Sequence, residues 1–253
     1  MAPNLQALSD APILELDIID STNNYAMRLI DADTAQPGLT ITAVEQSKGK
    51  GQRGRQWLDA AGDSLLMSII LVPGIRIEEQ FVFSAMIANA VADALSELHE
   101  HWDVRIKWPN DIIVNDKKAG GILIENVLRG AQWLYAIVGT GLNINQQHLP
   151  DILPWATSLR VASGREFNIT VIRDLVRRYI FDGAALGQNP RTIMQHYNNL
   201  LYRRGSLQFF ADSNTEWEAF INEVTPDGRL HVRLPDGRGE AYVHGNVQWV
   251  WGR

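Results

Sequence analysis

Residues 104–145 read VRIKWPNDIIVNDKKAGGILIENVLRGAQWLYAIVGTGLNIN. Short runs rich in Ile, Val and aromatic residues recur at 104–107, 111–115, 120–127 and 133–139. Runs of that composition, bounded by turn residues, predict strands. They are closely spaced, and Asn115-Asp116 marks a turn between two of them.

Outward from this block the texture alternates. Upstream, ILELDII (13–19), LTITAVEQ (39–46) and a buried-looking run at 64–72 read as further strands. Asp20-Ser21-Thr22 precedes a short helical pattern carrying Tyr25, Leu29 and Ile30 on one side, which predicts a capped helix. Residues 78–101 form the longest helical pattern, with Val82, Met86, Ala90, Ala94 and Leu98 at helical intervals. Downstream, helices are expected at 169–182 and 192–201. After about residue 204 the chain turns to short strands and tight turns. Pro226-Asp227-Gly228 and Pro235-Asp236-Gly237 flank the alternating RLHVRL. The expectation is an α+β domain with a mixed β-sheet flanked by helices over 1–203, and a small β-barrel over 204–253.

Composition narrows the function. The chain has 253 residues, a net charge of −6, 45% apolar and 21% charged residues, the profile of a globular protein. Without cysteine there is no disulfide, no thiolate nucleophile and no Cys-ligated metal. Mild acidity argues against a dedicated DNA-binding surface. No run reaches the roughly 18 apolar residues that span a bilayer, and MAPNLQALSD lacks the features of a secretory signal. The expected location is the cytoplasm, with no membrane partner.

The loop Lys48-Gly49-Lys50-Gly51-Gln52-Arg53-Gly54-Arg55-Gln56-Trp57 concentrates three glycines and four cations. Glycines let backbone amides approach an anion, and Lys and Arg supply charge to hold it. A solvated basic turn is the alternative. Gly49-x-Gly51-x-x-Gly54 has dinucleotide-fingerprint spacing, but that motif opens a helix, whereas this one runs into a turn and a strand. It is not a P-loop, because glycine follows Lys50 where Ser or Thr should hold magnesium. Pro109-Asn110-Asp111, Lys117-Lys118 and Gly139-Thr140-Gly141-Leu142-Asn143 all admit plain turn readings. Gly120-Gly121 inside a strand suggests close approach of a ligand. Ser21-Thr22-Asn23 is most simply a helix cap, itself a place that binds anions.

Together these segments match one family. DSTN (20–23), GKGQRGRQW (49–57), KWPND (107–111), KKAGGILIE (117–125) and GTGLNIN (139–145) stand in the order and spacing of biotin–protein ligases. The chain is thus identified by resemblance as a ligase from about residue 13 to the β-rich tail, and KWPND followed by K-x-x-G-I-L-x-E is specific to that family.

The resemblance implies a class II synthetase-like, biotin–lipoate ligase-like sheet with an SH3-like C-terminal barrel. It implies biotin and ATP as substrates, with Mg2+ accompanying ATP and held mainly by phosphates. Biotinyl-5′-AMP would form first, and its acyl group would pass to one lysine of a biotin carboxyl carrier domain. By matching motifs, Ser21, Thr22, Asn23 and Gln46 would bind the ureido ring. Gly49, Lys50, Gly51 and Gln52 would wrap the carboxylate end, and Gly121 would pass flat beside biotin. Lys118 would bridge the carboxylate and α-phosphate. Arg53, Arg55, Trp57, Asn110 and Asn143 would serve the nucleotide, Trp57 by covering adenine. Lys118, Asp111, Lys50 and Arg55 form the expected catalytic set, Asp111 orienting or deprotonating the acceptor lysine or, alternatively, capping a turn. No protein metal ligand is expected.

Two departures stand out. The family loop usually reads Gly-Arg-Gly-Arg-x-Gly-Arg-x-Trp. Lys50 keeps the second-place charge but loses the bidentate fork, and Gln52 loses the fourth-place charge. About twelve residues precede the first strand, too few for a helix-turn-helix unit. The ligase-only form, without specific DNA binding, is therefore expected, and a homodimer stays open. Lipoate or octanoate transfer on the same fold, and a non-catalytic biotin or nucleotide sensor, are the alternatives.

Overall fold

A computed structural model of the chain describes residues 10–58, 61–185, 187 and 189–251. Strands β1 (Ile13–Ile19), β2 (Thr40–Gln46), β3 (Ser64–Leu71), β4 (Val104–Lys107), β5 (Asp111–Val114), β6 (Lys117–Arg129) and β7 (Gln132–Asn143) form one sheet. Its order is β1-β2-β3-β7-β6-β5-β4. Helix α1 (Thr22–Asp31) lies between β1 and β2 in sequence, and this crossover lets them pair in parallel. The remaining neighbours are antiparallel. The sheet is therefore mixed.

Strand β3 is buried at every position because both faces are covered. Leu65, Met67, Ile69 and Leu71 enter the main core, while Ile70 joins Ala26 and Ile30 of α1 on the other side. Double coverage explains why this strand reads as a continuous apolar run. Helix α2 (Gln80–Leu98) is apolar and long enough to cross a membrane by composition. Its Val82, Phe83, Ile87, Val91 and Leu95 are instead buried in the main core. Helix α3 (Leu159–Ser163) was not expected. Its signals are local: the Ser158 hydroxyl accepts from Val161 N at 3.0 Å, and Gly164 adopts φ 74° as the C-terminal stop. Helices α4 (Ile169–Ala185) and α5 (Pro190–Leu200) complete the layer.

Strands β8 (Leu207–Ala211), β9 (Glu216–Val224), β10 (Leu230–Arg233), β11 (Gly239–Tyr242) and β12 (Gln248–Trp249) form a second sheet, ordered β11-β10-β9-β8-β12. Both Pro-Asp-Gly turns close as read, Gly228 N donating to Thr225 O at 2.8 Å and Gly237 N to Leu234 O at 2.9 Å. The expected barrel is corrected. Among the described residues β11 and β12 are edges that do not pair, so the unit is an open sheet. β12 contributes only two residues to the ladder, too few to carry a closure. Phe210, Ile221, Leu230 and Trp249 join the same apolar core as α2, which seats this sheet against the first.

Candidate active site

A cleft of about 780 Å³ opens over β6 and β7, between the start of α1, the glycine-rich loop and the end of the second sheet. Glycines make its floor. Gly121 pairs with Gly141 across the two strands, and the Trp57 ring lies on both. A Cβ at Gly141 would stand 2.8 Å from the indole, and one at Gly121 would stand 3.6 Å away. Gly139 makes room for Asn23 Oδ1 in the same manner. Gly120 has a different reason for being glycine, since its missing Cβ would collide with the Leu142 side chain, packing rather than ligand approach.

One end of the cleft is built from small polar groups. Gln46 Oε1 accepts from Thr22 N at 2.7 Å and from the Thr22 hydroxyl at 3.1 Å. The Ser68 hydroxyl lies 2.7 Å from Thr22 Oγ1 and 2.6 Å from Asn23 Oδ1, donating its one proton to either. Asn23 Nδ2 donates to Glu125 Oε2 at 2.7 Å, and Glu125 Oε1 accepts from Lys50 Nζ at 3.1 Å. Ser21 heads α1 without capping it through its side chain, which corrects the simplest reading. Among the described residues neither its hydroxyl nor Gln46 Nε2 has a hydrogen-bond partner. Both line the cleft, so one donor–acceptor and one donor remain for a ligand. Ser68 and Glu125 were not singled out from the sequence. For Glu125 the available signal was a lone carboxylate ending the apolar run GGILIE.

In the middle of the cleft Lys118 Nζ meets Asp111 Oδ1 at 2.6 Å. Regular alternation cannot place Lys118 and Gly121, three residues apart, on one face. A β-bulge does so. Ile112 pairs with Gly120 and Ile113 with Lys118, leaving Ala119 as the extra residue, which resets the facing of the strand. Lys118 then lines the cleft beside Gly121, and Lys117 is exposed. The main chain of Lys118 is pinned from outside the sheet, its N donating to Trp155 O at 2.7 Å and its O accepting from Thr157 N at 2.8 Å.

The glycine-rich loop closes on itself. Gly51 N donates to Arg55 O at 2.7 Å and Trp57 N to Gly49 O at 3.0 Å, around a turn in which Arg53 and Gly54 take positive φ. Gly49 packs against the Trp57 carbonyl and lines a smaller pocket that adjoins the cleft. Gln52 and Arg55 line the cleft. Arg53 also lines it, but Nη1 donates to His244 O at 2.7 Å and its guanidinium lies over the Cα of Gly245. Asn110 reaches the cleft while donating to Ile122 O at 2.7 Å. Asn143 does not line it. It is buried and its Nδ2 donates to Thr157 O at 3.0 Å, so it braces the segment that pins Lys118.

The far end is cationic. Lys107 is 6% exposed and its Nζ sits 4.8 Å from the ring centres of both Trp249 and Trp251. Burial pushes its pKa down to about 8; Asp111 opposes that shift, and Lys118 and Arg55 add to it. His244 is also held below its ordinary value, by burial and then by Arg53 and Arg55. Five Lys and Arg residues line the cleft against two carboxylates, Asp111 and Asp212, in a chain of net charge −6. Such a surface is made for a polyanion. Lys107 was legible only as the first letter of KWPND, since burial against a tail far along the chain leaves no local trace.

Comparison with known proteins agrees with this geometry. The bifunctional ligase/repressor BirA of Bacillus spizizenii is 36% identical over 155 residues, 60% of this chain and 47% of that protein. A biotin--[acetyl-CoA-carboxylase] ligase of Paracoccus denitrificans is 36% identical over 132 residues, 49% of this chain and 51% of that protein. The chain thus spans about half the length of the curated relatives it matches. Among solved structures, a biotin protein ligase from Aquifex aeolicus in complex with biotin and ATP superposes with a TM-score of 0.76 at 22% identity, covering 94% of this chain and 99% of that one. It shares the fold. Residues 15–143 match the biotin/lipoate A/B protein ligase family, and the chain belongs to that family.

Proposed function

We propose that the protein joins biotin to ATP and passes the biotinyl group to a lysine of a biotin carboxyl carrier domain. The arrangement that carries this reading is the pairing, in one cleft, of a small-polar end with an Lys118–Asp111 pair and a cationic far end. The polar end suits a neutral ring with fixed donors and acceptors, and an unpaired group there would cost about 1–3 kcal/mol. In the first step a carboxylate oxygen attacks the α-phosphorus, and the bond to the β-phosphate breaks with loss of pyrophosphate. Lys118 stands where negative charge would gather between carboxylate and phosphate, which is stabilisation by a preorganised cation rather than covalent catalysis. In the second step the carrier amine attacks the acyl carbon and AMP leaves. Asp111, already placed against an ammonium, is suited to orient that amine and take its proton. Asp111 is paired with Lys118, and Asp212 accepts from the Asn214 and Thr215 main chain. Magnesium would therefore arrive on the phosphates.

Residues 1–203 would form the catalytic unit and 204–253 its cover, acting in the cytoplasm without specific DNA. The test is incubation with biotin, ATP and a carrier domain, read by mass spectrometry. A biotinyl mass increment on one carrier lysine and AMP release are expected. Preference for lipoate or octanoate would assign the family's other chemistry, and binding without AMP formation would make the protein a sensor.

A further inference from the structure

The polar end of the cleft is anchored on Glu125, a carboxylate that no step of the proposed reaction uses. It stands on β6 on the same face as Gly121 and Leu123, past the bulge, where regular alternation holds. Its Oε2 accepts from Asn23 Nδ2 at 2.7 Å, and its Oε1 accepts from Lys50 Nζ at 3.1 Å. A carboxylate only accepts, so Asn23 can turn nothing but its NH2 toward it. The Leu123 carbonyl accepts from the same NH2 at a longer 3.3 Å, which leaves the carboxylate as the stronger hold. Asn23 Oδ1 then points the other way, over the missing Cβ of Gly139, where the Ser68 hydroxyl lies 2.6 Å from it. Among the described residues no other donor reaches that oxygen, and an amide oxygen accepts twice. Asn23 is 3% exposed and lines the cleft, so the second lone pair is left for a ligand rather than for bulk water.

We infer that Glu125 is a positioning residue for biotin, locking the Asn23 amide so that its oxygen presents an acceptor to the ligand ring, beside the donor of Gln46 Nε2. This rests on the proposed ligase reading and deepens it. A cyclic urea carries one carbonyl and two N–H groups, so it needs donors and acceptors at set places, and a flipped Asn23 would put N–H against N–H. The dithiolane ring of lipoate has no N–H to match that oxygen, so the lock favours biotin over the alternative substrate class. Through Lys50 the same carboxylate also seats the glycine-rich loop against the ring end.

Calorimetric titration of the whole chain with biotin tests the lock, with a cooperative urea transition showing that each variant is folded. Glu125→Leu, which removes both acceptors, should weaken biotin by about tenfold, and Glu125→Gln, which restores one, should recover most of that loss. In the Asn23→Ala background, Glu125→Leu should change biotin affinity by less than about twofold, because the group it acts through is gone. Should the leucine variant not fold, Glu125→Ala takes its place. Parent-like binding by the folded leucine variant, no recovery in Glu125→Gln, or an undiminished loss in the Asn23→Ala background would overturn the inference, the last tracing the effect to Lys50 or to packing. Failure of the parent to bind biotin would instead sink the ligase reading and the inference with it, a failure visible before any variant is made.

Discussion

The two ends of the cleft solve opposite problems. At the Ser21–Gln46 end the protein groups largely satisfy one another: Thr22, Asn23, Ser68, Gln46 and Glu125 are chained at 2.6–3.1 Å. At the Lys107 end, among the described residues, the buried Lys107 and the exposed Arg55 have no carboxylate paired with them, while Arg53 is tied to the His244 carbonyl. A neutral ligand is recognised by rigid complementary groups, so preorganisation pays off before it arrives. A polyanion is recognised by charge, which must stay unpaired to be of use. The second end therefore stores unfavourable electrostatics, and the first does not.

The contrast breaks most visibly at Lys118, which sits between the ends. Lys118→Ala should fold normally and lose about 3–4 kcal/mol of transition-state stabilisation, on the order of 10²–10³ in biotin-dependent ATP–pyrophosphate exchange. Lys117→Ala, exposed on the other side of the bulge, should match the parent. Equal losses in both would remove the assignment.

The stored cost at Lys107 is open to titration. Folding lowers its pKa from 10.5 to about 8, so between those values the unfolded chain binds more protons and stability rises with pH. Below the folded value the full cost of the buried charge is present. Measured by urea unfolding, the stability of the parent relative to Lys107→Met should climb by up to about 3 kcal/mol across that window. A flat difference would mean that the ammonium is hydrated and the ends are not so unlike.

At the polar end, Asn23→Ala strips partners from Ser68 and Glu125 and should weaken biotin by about 10–100-fold, the equivalent of 1–3 kcal/mol, without changing ATP affinity. A matching loss of ATP would show the two ends to be coupled. The smallest effect belongs to Glu125→Gln. It keeps an oxygen for Asn23 but loses the partly exposed ion pair to Lys50, so unfolding free energy should fall by less than about 1 kcal/mol. Proteolysis of the glycine-rich loop should nonetheless speed up. Unchanged cleavage would show that the Gly51–Arg55 and Trp57–Gly49 hydrogen bonds alone hold the loop.

Much of the architecture was legible along the chain because its causes are local. The paired turn residues at 115–116, the Pro-Asp-Gly corners and the period of α2 are nearest-neighbour physics, and the elements fall within a few residues of where these signals put them. The glycine-rich loop, the Ser21–Asn23 start of α1 and Lys118 likewise announced themselves by residue type. What the tertiary structure decided is which side chains share a space. A single extra residue at Ala119 turns Lys118 toward Gly121, and no pattern in KKAGG reveals it. Asn143 turns from the cleft to brace Thr157, Arg53 reaches a turn 191 positions away, and the tail stays an open sheet because β12 is short. Lys107 is the clearest instance. Composition alone puts a lysine in water, and only the packing of Trp249 and Trp251, more than a hundred residues further on, makes it a buried charge.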